Sequence, residues 1–306
     1  MGLLDDRVAI VTGAGRGIGR SEALLLASEG ASVVVNDLGG EASGEGADSR
    51  PAQQVVEEIS AAGGHAAANY DNCATWAGGQ ALVQQAIDSF GGLDILVNNA
   101  GILRDRMCFT MDEAEWDAVI NVHLKGHFCP LRHAAAYWRQ RSKESGGPVN
   151  AAVVNTASES GLYGNAGQIN YAAAKAGIAS MTIVAARELE RFGVRVNAIA
   201  PVARTRLTEA LGGGYFEAKE DDPFDAFAPD NVAAAVGWLV SDLAAGVSGQ
   251  VVKVQGGVIQ LLQGWRPATQ AHADSAWTID AIEGVRDTLL GGRDTGVPPF
   301  FFSLEG

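Results

Sequence analysis

Cysteines, basic clusters and long apolar runs are all scarce in this chain of 306 residues. Cys73, Cys108 and Cys129 follow no spacing pattern, so we expect free thiols in a reducing compartment and a cytoplasmic protein. The formal net charge is −14 and no lysine or arginine cluster stands out, which argues against nucleic-acid binding. No run reaches the roughly 18 apolar residues of a membrane span, and the N-terminal segment lacks the pattern of a signal peptide, so we expect no membrane partner.

Patterns typical of metal sites are also scarce. His123 and His127 are four residues apart and His133 follows, but no acidic residue has a spacing that would complete a ligand set. We therefore expect packed or solvated histidines and no metal ion. Arginines that can meet the phosphates of a substrate are scattered, and each is interpreted first as a solvated surface charge: Arg104, Arg106, Arg204, Arg206 and Arg266.

The chain does have enough apolar sequence for one large α/β domain. Apolar residues make up 47% of it, which is sufficient for a full core. Apolar strands alternate with helical segments as far as about residue 254, which predicts a doubly wound, Rossmann-like parallel sheet with helices on both faces. We divide the chain into a single domain, residues 1–263, and a C-terminal extension, residues 264–306.

A glycine-rich turn follows the first predicted strand. The strand is the apolar run 8–11, and the turn reads Thr-Gly-Ala-Gly-Arg-Gly-Ile-Gly over residues 12–19. Glycine lets the backbone bend tightly and approach a pyrophosphate, and the helix predicted over 19–28 directs its N-terminus at the phosphates. An apolar strand before the turn and an apolar helix after it are the context of a dinucleotide site. The predicted cofactor contacts in this turn are Gly13, Gly15, Arg16, Gly17, Ile18 and Gly19.

An acidic residue ends the second predicted strand, residues 32–36. Asp37 stands eighteen residues after Gly19, close to where such folds place the acid that binds the adenosine ribose. A carboxylate at this place accepts hydrogen bonds from both ribose hydroxyls and repels a 2′-phosphate. Asp37 therefore predicts NAD rather than NADP as the cofactor.

Three further residues form a candidate proton-transfer site. Tyr171 and Lys175 are four residues apart in a helix predicted over 168–190, so they project from the same side. The unperturbed pKa of a phenol is about 10, and a nearby ammonium lowers it, so this tyrosine can exchange a proton with an alcohol or a carbonyl. Ser158 follows a strand predicted over 149–154, and its hydroxyl can donate to a developing alkoxide. A chance surface pair is the alternative for Tyr171 and Lys175, but Ser158 and the upstream turn argue against it.

These motifs together resemble the short-chain dehydrogenase/reductase family over residues 5 to about 257. The matching motifs are the turn at 12–19, the run Asn98-Asn99-Ala100-Gly101, Ser158, and Tyr171 with Lys175. The resemblance implies an oxidoreductase with four catalytic residues, in which Asn121 helps to hold a water that links the lysine to solvent. Those four residues are Asn121, Ser158, Tyr171 and Lys175.

The resemblance also implies contacts with the cofactor outside the glycine-rich turn. Asp71 corresponds to the family's bond to the adenine amino group, and Lys175 to its contact with the nicotinamide ribose. After Pro201 the family often has glycine and then a nearby threonine, whereas this chain has Val-Ala-Arg before Thr205, which argues against a cofactor contact from Thr205. The implied contacts are Asp71, Asn98, Ala100, Gly101, Tyr171, Lys175 and Pro201.

Two loops and the tail are interpreted against the same family. Residues 38–51 form a long Gly-rich acidic loop, and residues 203–229 stand where the family carries its substrate lid, with a disordered loop as the alternative. In the extension, Thr278 is the predicted N-cap of a helix that ends near Gly291. The aromatic end, residues 297–304, leads us to expect that the extension packs on the body or on a partner subunit.

A narrower resemblance comes from four segments. Residues 36–40, 69–71, 98–106 and 161–171 are similar to the (3R)-hydroxyacyl-CoA dehydrogenase domain of the peroxisomal multifunctional enzyme of β-oxidation, also called a 17β-hydroxysteroid dehydrogenase. This implies NAD-dependent oxidation of a 3-hydroxyacyl-CoA, with a steroid-derived acyl chain as one option. It also implies a homodimer or homotetramer, formed through the helices that contain Asn121 and Tyr171.

Other functions remain open at this point. One is a dehydrogenase of a free steroid or another secondary alcohol. Another is an NADPH-dependent 3-oxoacyl reductase, because a basic residue at the position of Arg16 often supports NADPH in the family. A third is a nucleotide-sensing protein without catalysis, which the presence of both Tyr171 and Lys175 argues against.

Overall fold

Eight strands form one sheet that crosses the whole molecule. The computed structural model describes residues 2–209, 216–217, 224–292 and 297. The strand order is β3-β2-β1-β4-β5-β6-β7-β8, in which the first seven strands are parallel and β8 is antiparallel. The strands are β1 (Val8–Thr12), β2 (Ser32–Asn36), β3 (His65–Asn69), β4 (Ile95–Asn98), β5 (Ala151–Thr156), β6 (Val194–Val202), β7 (Val251–Gln255) and β8 (Val258–Leu262).

Helices connect the strands, as the alternation in the sequence predicts. A π-helical turn, Asn121–Lys125, joins α4 to α5. The α-helices are α1 (Gly17–Ser28), α2 (Arg50–Ala61), α3 (Trp76–Phe90), α4 (Glu113–Ile120), α5 (Gly126–Ser145), α6 (Glu159–Tyr163), α7 (Ile169–Leu189), α8 (Arg206–Glu209), α9 (Pro229–Val240), α10 (Ile279–Gly284) and α11 (Arg286–Leu290).

Both faces of the central strands are buried, which explains why these strands are apolar at nearly every position. In β1, Ala9 and Val11 pack in the core under α1, α2 and α9. Val8 and Ile10 point to the other face and pack in the core under α3, α5 and α7. Because successive side chains of a strand alternate between faces, a strand covered on both sides needs a continuous apolar run. The doubly wound parallel architecture expected from the sequence is confirmed.

The order of the strands reverses beside β1, and this reversal creates the place for a site. The chain moves from β1 outward to β2 and β3, then crosses back to β4 on the other side of β1. The loops that leave the carboxyl ends of β1 and β4 therefore separate and leave a crevice, which is where ligands bind in such sheets.

The antiparallel strand β8 is a feature that the sequence analysis did not anticipate. β7 turns at Gly256–Gly257 and pairs back with β8, for example Val251 with Leu262. Ile259 and Leu261 are about two-thirds exposed, at 65% and 64%. The apolar sequence of β8 therefore did not show whether these side chains would be buried within the chain.

The C-terminal extension is largely exposed where the structure describes it. Thr278 is the N-cap of α10, as predicted, because its hydroxyl accepts a hydrogen bond from the Ala281 amide at 3.1 Å. No residue in 264–292 is buried, and Trp265 is 99% exposed. These residues do not pack into the core of their own chain, so packing on a partner subunit stays a prediction. The aromatic end at 298–304 lies outside the described residues.

One helix of the described chain has the length and apolar composition of a membrane span, Ile169–Phe192. It includes α7, which packs against β5 and β6 and carries Tyr171 and Lys175. Ala185 and Leu189 of this helix lie in the core under the sheet, which is the packing of a core helix.

Candidate active site

A cavity of about 360 Å³ runs along the carboxyl edge of the sheet. Gly13 and Asp37 line it on the side of β1 and β2, and Ser158, Tyr171 and Lys175 line it on the side of β5 and α7. The sheet thus brings together two groups of residues that lie more than a hundred positions apart in the sequence.

The glycine-rich turn between β1 and α1 leaves no room for side chains at two of its positions. Gly13 has a φ of +63°, and a Cβ atom there would lie 2.7 Å from the Cα of Ala100. A Cβ at Gly19 would lie 2.3 Å from the Gly13 carbonyl oxygen. Arg16 is the N-cap residue of α1. Arg16 and Ile18 both line the cavity. The backbone itself therefore forms this wall of the cavity.

Two backbone amides anchor the carboxylate of Asp37. Its Oδ2 accepts a hydrogen bond from the Gly15 amide at 2.7 Å, and its Oδ1 accepts one from the Gly39 amide at 2.6 Å. Asp37 lines the cavity at the end of β2, where a carboxylate meets the ribose of a dinucleotide. The acid is thus already held in place by the turn that would bind the phosphates.

Asp71 lines the same part of the cavity, as predicted for the adenine contact. The side chain of Asn69 donates a hydrogen bond to its Oδ2 at 2.8 Å, and the Asp71 amide donates to Asn69 Oδ1 at 3.0 Å. Its carboxylate is therefore fixed by its own loop.

We expected Asn98 of the Asn-Asn-Ala-Gly run to contact the cofactor, but the structure places Asn99 at the cavity instead. Asn98 is fully buried, does not line the cavity, and donates to Asn155 Oδ1 at 3.0 Å and to the His127 carbonyl at 3.3 Å. Asn99 lines the cavity instead, and its side chain donates to the carbonyls of Thr12 and Gly13, both at 3.1 Å. Asn98 thus joins β4 to β5, and Asn99 holds the glycine-rich turn. Ala100 and Gly101 line the cavity.

Ser158 and Tyr171 form the centre of the proposed chemistry. Ser158 is the N-cap of α6, where its Oγ accepts a hydrogen bond from the Ser160 amide at 3.2 Å. Burial raises the pKa of Tyr171 to about 12, although a hydrogen bond with the Ser158 side chain acts in the lowering direction. The nearby carboxylate of Asp105 raises it further. Burial therefore favours the protonated phenol over the phenolate at Tyr171.

Lys175 lies beside this tyrosine but is buried, with 2% of its surface exposed. Its Nζ donates to the Thr156 carbonyl at 2.6 Å and lies 5.4 Å from the centre of the Tyr171 ring. Burial lowers the pKa of Lys175 to about 7. We expected its ammonium to lower the tyrosine pKa, but the largest influence on that pKa is burial, which raises it, and burial also disfavours the charged form of Lys175.

Asn121 opens the π-helical turn between α4 and α5 and is partly buried. Such turns are often found at functional sites. Its neighbours Val122 and His123 line the cavity, whereas Asn121 does not. The predicted fourth catalytic residue is therefore next to cavity residues in the chain but does not itself line the cavity.

His123 is a cavity residue that the sequence analysis did not assign to the site. Its ring meets the Tyr171 ring edge-on, with 5.0 Å between centroids, and its Nε2 lies 2.8 Å from the Ile102 carbonyl oxygen. Burial keeps its pKa well below the usual value, so the ring is neutral. The only signal in the sequence was its position two residues after Asn121.

Pro201 and Thr205 line the cavity near its middle. The Thr205 methyl lies 3.4 Å from the position of a Cβ built on Gly17, so this segment covers the glycine-rich turn. Thr205 therefore stands closer to a cofactor position than the altered spacing of the motif indicated.

Arg16 and the five arginines considered for substrate phosphates have different surroundings. Arg16 and Arg206 line the cavity. The remaining ones are paired or exposed: Arg104 with Glu45, Arg204 with Asp225, Arg106 with Glu115, and Arg266 on the surface. His127 is buried and His133 is largely buried, and in the described part of the chain no group of three or more His, Cys, Asp or Glu residues is arranged to hold a metal ion.

The chain belongs to the short-chain dehydrogenase/reductase family. The sequence profile described as "short chain dehydrogenase" matches residues 7–212. The protein is therefore an oxidoreductase that acts on alcohols, and the family uses NAD or NADP as its cofactor.

Its relatives are informative about the subgroup. Hydroxyacyl-CoA dehydrogenase ChsB1 of Mycobacterium tuberculosis is 45% identical over 95% of this chain and 90% of that protein. The peroxisomal hydratase-dehydrogenase-epimerase of Neurospora crassa is 40% identical over 98% of this chain, but over only 32% of that longer protein. A crystal structure of a short chain dehydrogenase from Mycobacterium avium is 49% identical and has a TM-score of 0.85, over 98% of this chain and 99% of that one. These findings confirm the resemblance inferred from the motifs.

The cavity fits a nicotinamide dinucleotide. The turn at Gly13 and Gly19 has no space for side chains, which leaves backbone amides free to approach a pyrophosphate. Asp37 and Asp71 lie where a ribose and an adenine would need acceptors, and Lys175 lies at the catalytic end. Most of the predicted cofactor residues therefore line one continuous cavity; the exceptions are Gly15, Gly19 and Asn98.

Proposed function

We propose that this protein oxidises a 3-hydroxyacyl-CoA to the 3-oxoacyl-CoA with NAD as the cofactor. The observation that carries the proposal is the single cavity that holds Asp37 at one end and Ser158, Tyr171 and Lys175 at the other. The carboxylate supports NAD, because it offers acceptors to ribose hydroxyls and repels a 2′-phosphate. The serine and tyrosine support proton transfer at a carbinol carbon.

Each residue has a separate task in the proposed reaction. In the oxidation, Tyr171 Oη acts in its phenolate form and takes the proton of the substrate hydroxyl, while Ser158 Oγ donates a hydrogen bond to the developing alkoxide. Lys175 would hold the nicotinamide ribose, and Asn121 supports the proton path behind it. When bound, NAD supplies the acceptor for the hydride that leaves the carbinol carbon. Because burial favours the phenol form of Tyr171, the same site also suits proton donation in the reverse reduction.

The thioester substrate is supported by relatives of nearly full length. Hydroxyacyl-CoA dehydrogenase ChsB1 matches almost the whole chain, including the region of the extension. Arg206, a cation that can meet a phosphate group of CoA, also lines the cavity. A steroid-derived acyl chain is the finer part of this proposal.

A second candidate is an NADPH-dependent 3-oxoacyl reductase. Arg16 lines the cavity next to Asp37, where a cation can pair with a 2′-phosphate. The 3-oxoacyl-[acyl-carrier-protein] reductase FabG of Staphylococcus aureus is 42% identical over 82% of this chain. We rank this candidate second, because the anchored carboxylate of Asp37 would face that phosphate directly.

The test compares substrates and cofactors in one assay. NADH formation is measured with a (3R)-hydroxyacyl-CoA, with the free 3-hydroxy acid and with a 17β-hydroxysteroid, and each assay is repeated with NADP. We expect turnover with the thioester and NAD. Turnover with the free alcohol alone would replace the thioester assignment by a steroid or secondary-alcohol dehydrogenase. A preference for NADPH and a 3-oxoacyl substrate would establish the second candidate.

A further inference from the structure

A buried ion pair lies directly beside the candidate catalytic serine. Glu159 follows Ser158 at the start of α6, and its carboxylate pairs with the ammonium of Lys253 in the middle of β7. The two side chains are only 4% and 7% exposed. In every other ion pair of the described chain, at least one partner is clearly more exposed than this. The pair is therefore a feature of the interior and not of the surface.

The sheet around Lys253 is small and apolar, whereas Glu159 also lines the cavity. Lys253 lies opposite Ala200 in the sheet and shares its face of β7 with Val251. Ala200 and Val251 belong to a buried cluster with Ala157, at the foot of the Ser158 turn. Within the described chain, the ion pair with Lys253 is the only polar contact of the Glu159 carboxylate. A buried charge that loses its partner in such a place is strongly unfavourable, so each member holds the other in position.

The pair also spans a strand of the sheet. Glu159 follows the end of β5, Lys253 belongs to β7, and β6 lies between these two strands. The contact therefore crosses over β6 and ties the turn after β5 to the far side of the sheet. The last backbone bond to the sheet before Ser158 is the one from the Ala157 amide to the Ile199 carbonyl of β6 at 2.7 Å, and side-chain contacts hold the turn beyond it.

The turn at Ser158 is anchored on a second side as well. Ser160 Oγ donates to Gln168 Oε1 at 2.8 Å, and Gln168 Nε2 donates to Asp105 Oδ2 at 2.8 Å. The residues that follow Ser158 are therefore held on two sides. Ser160 is bonded to Gln168 at the start of α7, and Glu159 is paired with Lys253 of β7. The Ser158 backbone is extended, with φ −165° and ψ 152°, a conformation that does not by itself direct the hydroxyl toward Tyr171.

We propose that the Glu159–Lys253 ion pair is a positioning device, which holds the Ser158 turn so that the serine hydroxyl reaches Tyr171. The proposal rests on the catalytic role proposed above for Ser158. Glu159 and Lys253 take no part in proton or hydride transfer, and their effect on turnover passes through the serine.

The first test is Glu159→Gln, which keeps the size of the side chain and removes its charge. A displacement of about 1 Å at a catalytic group can cost about a hundredfold in rate. We expect kcat to fall between about tenfold and a hundredfold, while the affinity for NAD, measured by fluorescence titration, stays unchanged because Asp37 and the glycine-rich turn lie at the other end of the cavity. Glu58→Gln, which removes an exposed ion pair with Arg20, is the control and should leave kcat unchanged.

A double-mutant cycle distinguishes positioning from general destabilisation. In the Ser158→Ala background, Glu159→Gln should cause no further loss of kcat, because there is no hydroxyl left to position. An equal loss with and without the serine hydroxyl would overturn the proposal, since the pair would then act on the fold as a whole.

A second variant keeps the test valid if Glu159→Gln does not fold. Glu159→Gln combined with Lys253→Met leaves no unpaired charge in the interior, and the same cycle is repeated in this background. We expect the double variant to fold with a lowered kcat, and wild-type kcat would contradict the proposal. The cycle uses whichever alcohol the wild type oxidises, so its outcome does not depend on the thioester assignment.

Discussion

At the scale of the residue, the site combines two titratable side chains whose charged forms are both disfavoured. Burial raises the pKa of Tyr171 to about 12 and lowers that of Lys175 to about 7. The hydrogen bond with Ser158 is the contact that lowers the tyrosine pKa. The pKa of Tyr171 therefore depends on its hydrogen bond with Ser158, and so on the position of the serine hydroxyl.

Replacement of the tyrosine tests the proton transfer. Tyr171→Phe removes only the hydroxyl, and we expect turnover to fall by at least about a hundredfold, since general acid–base catalysis contributes factors of this order. NAD binding should persist. Initial rates and a fluorescence titration of the cofactor measure the two effects separately.

Tyr163→Phe is the matched control for this substitution. Tyr163 ends α6, is 43% exposed and does not line the cavity, so its loss should leave turnover unchanged. Substantial turnover by Tyr171→Phe would remove the catalytic assignment.

The cofactor preference depends on a second residue. Asp37→Ser removes the carboxylate at the end of β2, and we expect kcat/KM for NAD to fall about tenfold or more, because hydrogen bonds to charged groups are worth about 1.5–3 kcal/mol. The ratio of NADP to NAD activity should rise, since the repulsion of a 2′-phosphate is lost. Steady-state kinetics with both cofactors measure the change.

Asp88→Asn on the exposed face of α3 is the control for Asp37→Ser. Asp37→Asn adds a finer comparison, because an amide oxygen can still accept the Gly15 and Gly39 hydrogen bonds. An unchanged cofactor ratio in both Asp37 variants would refute the role of this residue.

At the scale of the element, α1 is a helix with two different constraints. Its first turn must accommodate the closely approaching backbone around Gly13 and Gly19. One turn further on, Glu22 is completely buried, and neither of its carboxylate oxygens has a hydrogen-bond partner in the described chain. Burial raises the pKa of Glu22 to about 8, so the folded protein holds this side chain as a neutral acid at neutral pH.

The buried carboxyl of Glu22 should make the stability of the fold depend on pH. In the unfolded chain Glu22 loses its proton above about pH 4.5, whereas the folded chain keeps it to about pH 8. The folded state therefore binds more protons between these values, and the free energy of unfolding falls by up to about 1.4 kcal/mol per pH unit as the pH rises.

Glu22→Gln removes this loss. The difference in Tm between the variant and the wild type should grow in favour of the variant from pH 5 to pH 8 and then level off, which thermal denaturation followed by circular dichroism can measure. Glu57→Gln, exposed on α2, should show no such trend. A Tm difference that is independent of pH would contradict the buried neutral acid.

At the scale of the whole molecule, much apolar surface remains uncovered in a single chain. Phe128 on α5 is 45% exposed, and Val184 on α7 is 50% exposed. The family resemblance implies assembly through the helices that contain Asn121 and Tyr171; Tyr171 lies in α7, and Asn121 opens the π-helical turn that continues into α5. Apolar surface on neighbouring helices is typical of protein–protein contacts.

We therefore predict a homodimer or homotetramer in solution. Light scattering at micromolar concentration should give a mass that is a multiple of the chain mass. The double variant Phe128→Glu and Val184→Glu should lower that mass, because a charge in an apolar contact is costly. Leu243→Glu, 65% exposed and outside these helices, is the control. A monomeric wild type would contradict the prediction.

The strands and the motifs were accessible from the sequence for a physical reason. A parallel sheet covered on both faces requires continuous apolar runs, and β2 was predicted with the bounds Ser32–Asn36 that the structure has. The turn at residues 12–19 depends on glycine itself, and the pair Tyr171 and Lys175 depends on helical periodicity. These are local constraints, so a local pattern reveals them.

Contacts between distant segments were decided only by the tertiary structure. The sequence did not distinguish Asn98, buried between β4 and β5, from Asn99, which lines the cavity, because the difference depends on which way each side chain faces in the folded sheet. Nor did it predict the contact of His123 with Tyr171 or the pairing of Glu159 with Lys253.

The sequence by itself thus determined the doubly wound fold, the nucleotide turn and the types of catalytic residue, because each depends on residues that are close together in the sequence. Only the folded chain decided the protonation of Tyr171 and Lys175 and the orientation of Ser158. Burial and the distances between side chains from different strands set these properties, and neither quantity exists until the sheet has formed.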